Sequence, residues 1–322
     1  MVPSYLLQLV VSIAEGLEEH PETRRRHAAW LRSQQQPDGG FTGRDGSSDL
    51  YYTAFALRSL AVLGELNGEL AESAAVFLQG QLSANTSIID LISLVLSAKQ
   101  IELSSGIDPL DGTDSNWQVK VLALLEELRT EDGGYAKTLE GAAGSTYQSF
   151  LSLLVYQLLE QTPPMPEHLR EFLLSQRREE GGFVEIRAMR RSGVNPTAAA
   201  IAGLRILHEI AGQPQITEHI REPAAEFLLE MQNEEGGVAA NTRIPIADLL
   251  STFTAMQTLD TLGRLDEFDR EAARRFALGV EQPAGGFLAA AWDQVADVEY
   301  TFYGLGVLGL SARSPDDPGF NS

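Results

Sequence analysis

The sequence predicts an all-α protein in which six helical hairpins close into a double ring. Two observations lead to this fold class. The first is a unit that recurs along the 322 residues, in which a few polar residues are followed by Gly-Gly and then by an apolar residue. The second is that an amphipathic helix pattern precedes each unit and a much more apolar helix pattern follows it. Recurrence at a fixed period with helices on both sides indicates a repeat protein.

The spacing of the Gly-Gly units sets the number of repeats. The first glycines of the five copies lie at positions 39, 133, 181, 236 and 285, so that consecutive copies are 94, 48, 55 and 49 residues apart. A step of 94 residues fits two repeats, one of which has lost its Gly-Gly. We assign this sixth, degenerate repeat to two helices, Ala74 to Gln81 and Ser87 to Ile101.

Each repeat is expected to contain an outer and an inner helix. The outer helices are amphipathic, and we expect Gly-Gly to end them as a left-handed C-cap. Their predicted spans are Arg26 to Gln34, Arg170 to Gln176, Ala224 to Gln232 and Arg270 to Gln282. The inner helices are apolar on nearly every side, which predicts burial on both faces. Their predicted spans are Leu50 to Leu63, Tyr147 to Leu159, Thr197 to Ile210, Leu249 to Leu262 and Val298 to Leu310.

Composition narrows the class of function. Twenty-four Lys and Arg against 45 Asp and Glu give a net charge of −21, which argues against wrapping nucleic acid or lying on an anionic membrane. Cysteine is absent, so disulfides and thiolate metal sites are excluded. No run of residues is long and apolar enough to span a membrane. The apolar stretch Tyr5 to Ile13 lacks the basic flank of a signal peptide, so we expect an extra helix there and a cytoplasmic protein.

The repeats resemble those of a known family. Six hairpins carrying Leu-x-x-Gln-x-x-x-Gly-Gly-Phe are similar to the β subunit of protein prenyltransferases, whose relatives include the squalene and hopene cyclases. The resemblance implies an (α/α)6 toroid over residues 22–312, with an N-terminal extra helix in residues 1–21 and a tail in residues 313–322. It also implies an aromatic-lined funnel for a farnesyl or geranylgeranyl diphosphate. A protein acceptor, a helical partner like the family's α subunit and a homodimer are further expectations.

When the five inner-helix starts are aligned on a shared Ser or Thr, the residue four positions before it forms one column of the alignment. This column contains Asp49, Ser145, Gly193, Asp248 and Asp297. Side chains of this type cap helix N-termini, because they accept hydrogen bonds from the free backbone N–H groups of the first turn. A functional interpretation stands beside capping. The carboxylates Asp248 and Asp297, with Glu299, would hold a cation or steer a proton, and we take Asp248 and Asp297 as catalytic candidates.

The zinc site implied by the resemblance is not expected here. That site needs an Asp and a Cys two residues apart at the start of one inner helix, and a His at the start of a later one. Asp248 matches the Asp, but Leu250 replaces the Cys and Tyr300 replaces the His, which leaves no sulfur or nitrogen ligand. A carboxylate site would suit Mg²⁺ instead, so magnesium is retained as a possible cofactor.

Arginines are the candidates for binding a diphosphate. The resemblance implies a His where Gly193 stands, and an Arg and a Lys in a loop where Arg243 is the one cation. The chain has instead Arg187, Arg190 and Arg191 just before the fourth inner helix, where guanidinium groups and a helix N-terminus suit phosphate. The alternative pairs these arginines with three nearby glutamates, Glu179, Glu180 and Glu185.

Aromatic residues in the first turns of the inner helices are, as a set, candidates for contacting a prenyl tail, although ordinary core packing is the better explanation of any single one. They are Tyr51, Tyr52, Tyr147, Phe253 and Tyr300.

Three functions remain open from the sequence. We expect first a prenyltransferase β-subunit-like protein that binds an isoprenoid diphosphate and transfers the prenyl group without zinc. The second is a terpene or squalene-type cyclase, although the nearest match to that family's acid motif keeps only Asp49 and replaces the later aspartates by Tyr51 and Tyr52. The third is a non-catalytic toroid that binds an isoprenoid or a protein.

Overall fold

The computed structural model of the protein describes residues 4–81, 88–113 and 116–313. Within these residues the chain forms thirteen α-helices, one 3₁₀ turn at Leu265–Glu267 and one two-stranded sheet. The helices are α1 (Tyr5–Gly16), α2 (Pro21–Ser33), α3 (Leu50–Val62), α4 (Gly68–Gln81), α5 (Ile88–Ser105), α6 (Trp117–Glu126), α7 (Thr146–Leu158), α8 (Pro166–Ser175), α9 (Val194–Ala211), α10 (Glu218–Glu230), α11 (Leu249–Thr261), α12 (Arg270–Val280) and α13 (Val298–Ala312). The strands are β1 (Val238–Asn241) and β2 (Ile244–Asp248).

The six predicted hairpins are present, and α1 precedes them. They are α2/α3, α4/α5, α6/α7, α8/α9, α10/α11 and α12/α13. The pair α4/α5 lacks Gly-Gly and lies where the sequence places the degenerate repeat, so that assignment is confirmed. Ser87, the predicted first residue of the second helix of this repeat, lies outside the described residues. No helix in the described part of the chain is long and apolar enough to cross a membrane.

Six helices, α2, α4, α7, α8, α9 and α10, begin one to six residues earlier than the sequence predicts. At α9 and α10 the difference involves a proline inside the helix. Helix α9 starts at Val194 rather than Thr197, because Pro196 sits in the first turn, where no intrahelical donor is needed. Helix α10 starts at Glu218 and carries Pro223 inside it. In both cases the prediction began the helix after a proline that the structure places within it.

The expected role of Gly-Gly as a helix C-cap is wrong. The outer helices that precede a Gly-Gly unit end five to seven residues before its first glycine, and their C-caps, among them Gln34 and Gln176, are right-handed. The glycines lie instead in a four-residue hairpin turn. In the first repeat Gly39 N–H donates to the Gln36 carbonyl (2.9 Å) and Gln36 N–H donates to the Gly40 carbonyl (2.8 Å), with Gly39 at φ +90°. A turn of this kind needs the left-handed region that glycine alone enters freely.

The apolar residue after Gly-Gly is the centre of each repeat. It pairs on one side with the end of the outer helix and on the other with the residue before the inner helix, as Phe41 does with Gln35 and Asp49. Its side chain is fully buried in all five copies. Its backbone N–H donates to a hydroxyl one turn into the inner helix. These five bonds are Phe41 to Thr53 (2.9 Å), Tyr135 to Ser149 (3.0 Å), Phe183 to Thr197 (2.9 Å), Val238 to Thr252 (2.9 Å) and Phe287 to Thr301 (3.2 Å).

In the fifth repeat this pairing extends into a β-hairpin that the sequence analysis assigned to a loop. The register is Val238 with Asp248, Ala239 with Ala247 and Asn241 with Ile244. The side chain of Asn241 accepts from Arg243 N–H at 2.9 Å and stabilises the tight turn.

The described chain divides into two compact units. Unit 1 contains residues 4–6 and 116–273, and unit 2 contains residues 7–113 and 274–313. In unit 1 the inner helices α7, α9 and α11 pack in sequence order. In unit 2 α3 packs on both α5 and α13, so the sixth hairpin contacts the first.

The contact between the sixth and first hairpins in unit 2 includes a buried histidine. His27 of α2 accepts from Gly286 N–H through Nδ1 (3.1 Å), and its Nε2 lies 2.7 Å from Glu281. The imidazole stacks on Phe287 with ring centroids 4.8 Å apart. The Gly-Gly turn of the last repeat is thereby fixed to the first outer helix.

Each turn also meets the outer helix of the next hairpin. A Cβ built on the first glycine would lie against backbone of that helix: 2.0 Å from the Ser73 carbonyl oxygen for Gly39, 2.1 Å from that of Pro223 for Gly181, and 2.5 Å from that of Ala272 for Gly236. Any side chain there forces two neighbouring repeats apart.

Gly181→Ala tests this contact, with Gly212→Ala as its matched control. Both glycines have positive φ, +95° and +60°, but a Cβ at Gly212 meets nothing within 4 Å. We expect Gly212→Ala to cost about 1 kcal/mol through backbone strain, and Gly181→Ala to cost about 1–3 kcal/mol more through overpacking. Urea denaturation measures both. An equal loss of stability in the two variants would show that the Gly181 turn does not pack closely against α10.

Candidate functional site

Four members of the column at the inner-helix starts are caps, as the simpler interpretation predicts. The third residue of each helix donates its N–H to the cap, and the bonds are Tyr52 to Asp49 (2.8 Å), Gln148 to Ser145 (3.0 Å), Ser251 to Asp248 (2.7 Å) and Tyr300 to Asp297 (2.8 Å). The fifth member, Gly193, has no side chain to cap α9. The third residue there is Pro196, which has no N–H, so a carboxylate would have no such donor to accept from.

Asp248 uses both carboxylate oxygens locally. One accepts from the backbone N–H of Ser251, and the other accepts from its hydroxyl at 3.0 Å. Burial raises the pKa of Asp248, and these hydrogen bonds offset only part of that effect. Its catalytic role is untested and stays a prediction.

Asp297 belongs to an ion-pair network in unit 2 that the sequence analysis missed. Arg44, from the loop before α3, donates through Nε to Asp297 (2.9 Å) and through two further nitrogens to Asp293 (3.0 and 2.6 Å). Both carboxylates are buried. Burial alone would raise the pKa of Asp293, but hydrogen bonds from Ala289 N–H and Arg44 outweigh it and lower that pKa. Asp297 thus both caps α13 and pairs with the first repeat, and its catalytic role also stays a prediction.

The residues present do not fit the zinc site implied by the resemblance. Leu250 and Tyr300 offer neither thiolate nor imidazole, and Asp248 is already bonded to Ser251. Within the described residues no three His, Asp or Glu side chains are grouped so that they could hold a metal ion. A preformed protein cage for Mg²⁺ is therefore not seen in that part of the chain, and magnesium stays a prediction.

An aromatic cluster joins the first and last inner helices in unit 2. Tyr51 and Tyr52 stand edge to face at 5.3 Å between ring centroids, and Tyr51 and Phe55 at 5.1 Å. Phe55 reaches Tyr303 of α13 at 5.4 Å, and Tyr303 reaches Tyr300 at 5.8 Å. Three of the predicted tail-binding residues, Tyr51, Tyr52 and Tyr300, thus belong to one cluster.

Glu299 lies within this cluster. Its Oε1 accepts from the Tyr51 hydroxyl at 2.8 Å and from the Tyr303 hydroxyl at 3.2 Å. Burial raises the pKa of Glu299, and the tyrosine hydrogen bonds do not fully compensate. The guanidinium of Arg58 stacks 4.2 Å from the Phe55 ring centroid, on the same group of aromatics. A carboxyl with a raised pKa among aromatic rings can hold a proton and release it to a substrate.

The contact between Glu299 and Tyr51 could have been predicted from the positions of these two residues in their helices. Glu299 and Tyr51 each stand two residues after the capping aspartate of their helix, so two helices that pack side by side place them at the same level. The sequence analysis grouped Glu299 with the carboxylates at the helix starts instead.

The predicted phosphate-binding arginines all lie in unit 1 and are exposed: Arg187, Arg190, Arg191 and Arg243. Within the described residues none of them forms an ion pair with a carboxylate. Two of the three proposed glutamate partners bond elsewhere, because Glu180 accepts from Ser192 N–H (3.0 Å) and Glu185 accepts from the Ser145 hydroxyl. The third, Glu179, is exposed and forms no ion pair with these arginines in the described residues. Arg191 donates to the Thr242 hydroxyl at 3.2 Å, which brings it to the loop that carries Arg243.

The other two predicted tail-binding aromatics, Tyr147 and Phe253, differ in exposure. Tyr147 is 43% exposed at the start of α7, with its ring centroid 6.4 Å from that of Phe150. Phe253 is buried in unit 1. The role of both in binding a prenyl tail stays a prediction.

Comparison with known proteins shows the family. The model of the prenyltransferase α/α-toroid domain matches residues 5–183 and 83–317, which together span nearly the whole chain. The chain therefore belongs to the prenyltransferase α/α-toroid family, and the predicted all-α toroid fold is confirmed. None of the curated proteins matches the sequence.

Solved structures with this fold have diverse functions. Protein geranylgeranyltransferase-I of Candida albicans, in complex with GGPP, is 16% identical with a TM-score of 0.67, over 89% of this chain and 90% of that one. A variant of the type II terpene cyclase MstE from Scytonema, bound to geranylgeranyl dihydroxybenzoate, is 16% identical with a TM-score of 0.62, over 95% and 98%. The α-1,6-mannanase GH76A of Salegentibacter sp. HEL1_6 is 11% identical with a TM-score of 0.63, over 91% and 98%. At these identities the likeness shows the fold alone.

Glu299→Gln tests the electrostatics of the aromatic cluster. The pKa of Glu299 is higher in the folded state than in the unfolded state. The free energy of unfolding of the wild type therefore falls as the pH rises from the ordinary pKa of glutamate to the raised pKa of Glu299. The variant keeps an oxygen for Tyr51 but cannot ionise, so its stability relative to wild type should increase across that window and then level off.

Denaturation at a series of pH values measures this difference. Glu69→Gln, at an exposed carboxylate on α4, is the control and should show no such gain. A stability difference that is flat with pH at Glu299 would contradict the raised pKa.

Proposed function

We propose that the chain binds an isoprenoid diphosphate, farnesyl or geranylgeranyl, and transfers its prenyl group without the Asp/Cys/His zinc site. The observation that carries the proposal is the set Arg187, Arg190, Arg191 and Arg243. In a chain of net charge −21 these cations are exposed, and within the described residues none of them pairs with a carboxylate. Guanidinium groups match phosphate oxygens in geometry and charge.

The start of α9 supports the same assignment. Gly193 leaves this helix without a side-chain cap, so the positive end of its dipole carries no carboxylate. The other described inner helices that follow a Gly-Gly turn begin with an acidic or hydroxyl cap. An anion held by the arginines of the preceding loop would lie near the positive end of this dipole, where no carboxylate side chain at the cap position competes with it.

In prenyl transfer the bond between the allylic carbon and the diphosphate oxygen breaks, and the oxygen leaves with the electron pair. The arginines would stabilise the charge that develops on the leaving diphosphate. The acceptor then bonds to the allylic carbon and loses a proton. Magnesium, if required, would be bound mainly through diphosphate oxygens, as is usual for this ion.

The proposal assigns the remaining predicted residues as follows. Tyr147 and Phe253 in unit 1, and separately Tyr51, Tyr52 and Tyr300 in unit 2, would contact hydrocarbon. Asp248 and Asp297 would need to exchange a present hydrogen-bond partner to act on a cation or an acceptor. A protein acceptor, a helical α-subunit-like partner, a homodimer and a cytoplasmic location are retained as predictions.

Thermal shift with farnesyl and geranylgeranyl diphosphate tests the proposal. We expect either ligand to raise the melting temperature, and Arg190→Ala with Arg191→Ala to weaken binding about 100-fold, since each charge-assisted hydrogen bond contributes about 1.5 kcal/mol or more. Arg221→Ala, on outer helix α10, is the control and should bind as wild type. Binding unaffected by the arginine pair would remove the diphosphate assignment, and an unchanged melting temperature would favour a non-catalytic scaffold.

A second candidate function, cyclisation of a terpene, is favoured by one observation. Glu299 has a raised pKa, accepts from two tyrosine hydroxyls and is surrounded by aromatic rings that stabilise cations. Its carboxylic acid would transfer a proton to an alkene carbon and form a carbocation. After ring closure the cation loses a proton from a neighbouring carbon, and the carboxylate regains one from water.

Deuterium labelling separates the two functions. A cyclase supplied with squalene or geranylgeranyl diphosphate in D₂O should form cyclic product carrying deuterium without any acceptor. Glu299→Gln should abolish that product, and Glu299→Asp should retain part of it. Release of diphosphate only in the presence of an acceptor, with no cyclic hydrocarbon, would reject cyclisation and support prenyl transfer.

A further inference from the structure

Three consecutive loops of unit 1 form one surface, which we call the loop face. They are residues 136–145, 184–193 and 239–248, and they precede α7, α9 and α11. Thr146 N–H, at the end of the first loop, donates to the Glu185 carbonyl at 2.9 Å. Arg191 donates to Thr242 at 3.2 Å and so joins the second loop to the third. The loop face is therefore continuous within the unit.

The charge of the loop face is opposite to that of the whole chain. It carries five cations, Lys137, Arg187, Arg190, Arg191 and Arg243, and all are exposed. Of its three carboxylates, Asp248 caps α11 and Glu185 is bonded to Ser145. Glu140 is its one exposed carboxylate.

Large apolar side chains stand exposed among these cations. The exposed fractions are 60% for Leu139, 43% for Tyr147, 37% for Ile186, 47% for Met189, 46% for Ile244 and 45% for Ile246. Each loop contributes at least one of them, and Tyr147 lies in the first turn of α7, directly after the first loop. Apolar residues exposed together on one surface, with a polar surround, mark a surface that contacts something other than water.

We propose that the loop face docks on an anionic phospholipid bilayer. Basic side chains beside apolar tips match the boundary between lipid headgroups and acyl chains, where arginines contact phosphate and apolar side chains enter the acyl region. An acidic protein helix would require a groove, whereas the apolar residues here are spread over the tips of three separate loops. The inference goes beyond the proposed function and does not depend on it.

The net charge of −21 does not prevent this docking. At physiological ionic strength the Debye length is about 8 Å, so the bilayer acts mainly on the charges of the surface that touches it. The acidic side chains elsewhere on the chain are screened. The sequence-level expectation that the chain avoids anionic membranes rests on net charge and does not take this local distribution into account.

Vesicle flotation of the full chain is the test. We expect binding to phosphatidylcholine vesicles that contain phosphatidylserine, little binding to phosphatidylcholine alone, and weaker binding at high salt. Replacing Arg190 and Arg191 by Ala should lower partitioning about fivefold for each arginine.

A second variant separates docking from diphosphate binding. Ile186→Ser with Ile244→Ser should lower vesicle partitioning but leave the thermal shift with inorganic pyrophosphate unchanged. Val119→Ser with Leu124→Ser, at exposed positions on outer helix α6, is the matched control and should partition as wild type. Equal binding to both kinds of vesicle, loop-face variants that behave like the α6 control, or capture of acidic proteins without vesicle binding would each overturn the proposal.

Discussion

The hydrogen bond from a buried backbone N–H to an inner-helix hydroxyl holds each Gly-Gly repeat together. The donor belongs to the apolar residue after Gly-Gly, and the acceptor is a Thr or Ser one turn into the following helix, at 2.9–3.2 Å in all five copies. A buried donor left without a partner costs about 1–3 kcal/mol. Because this bond fixes the turn on its own inner helix, the glycines can press against the outer helix of the next repeat.

The need for a helix cap and for this hydroxyl acceptor fixes some positions at the start of each inner helix and leaves others free to vary. At the inner-helix starts the first position caps the helix in four of the five Gly-Gly repeats, and the fifth position supplies the hydroxyl in all five. The third position does neither. It is occupied by Tyr51, Tyr147, Asn195, Leu250 and Glu299, which are four residue types in five repeats. Chemistry that differs around the chain is therefore concentrated at a position that the fold leaves unconstrained, and the Tyr51–Glu299 pair is its clearest example.

The sequence was sufficient for the hairpins and for the caps, because both depend on local periodicity and on residues three or four apart. It failed where the determining contact lies far along the chain. The partners of Arg44 are 249 and 253 residues away, and Tyr51 and Glu299 are 248 apart. The sequence-based prediction was also wrong where one residue type has two structural uses. Glycine with positive φ suits both a helix C-cap and a tight turn. The close approach of the Gly-Gly turn to the next outer helix distinguishes the two.

The two units differ in whether their charged side chains have partners within the unit. This difference says more about function than the net charge does. In unit 2 the carboxylates of Asp293 and Asp297 share Arg44, and Glu299 accepts from phenol hydroxyls, so each of these buried carboxylates has a partner within the unit. In unit 1 two glutamates near Arg187, Arg190 and Arg191, namely Glu180 and Glu185, bond to Ser192 and Ser145 instead. Those arginines keep their charge available on an otherwise acidic protein. An external anion, which is a diphosphate in the proposed function and a lipid headgroup in the proposed docking, would meet arginines that no carboxylate of the described residues neutralises.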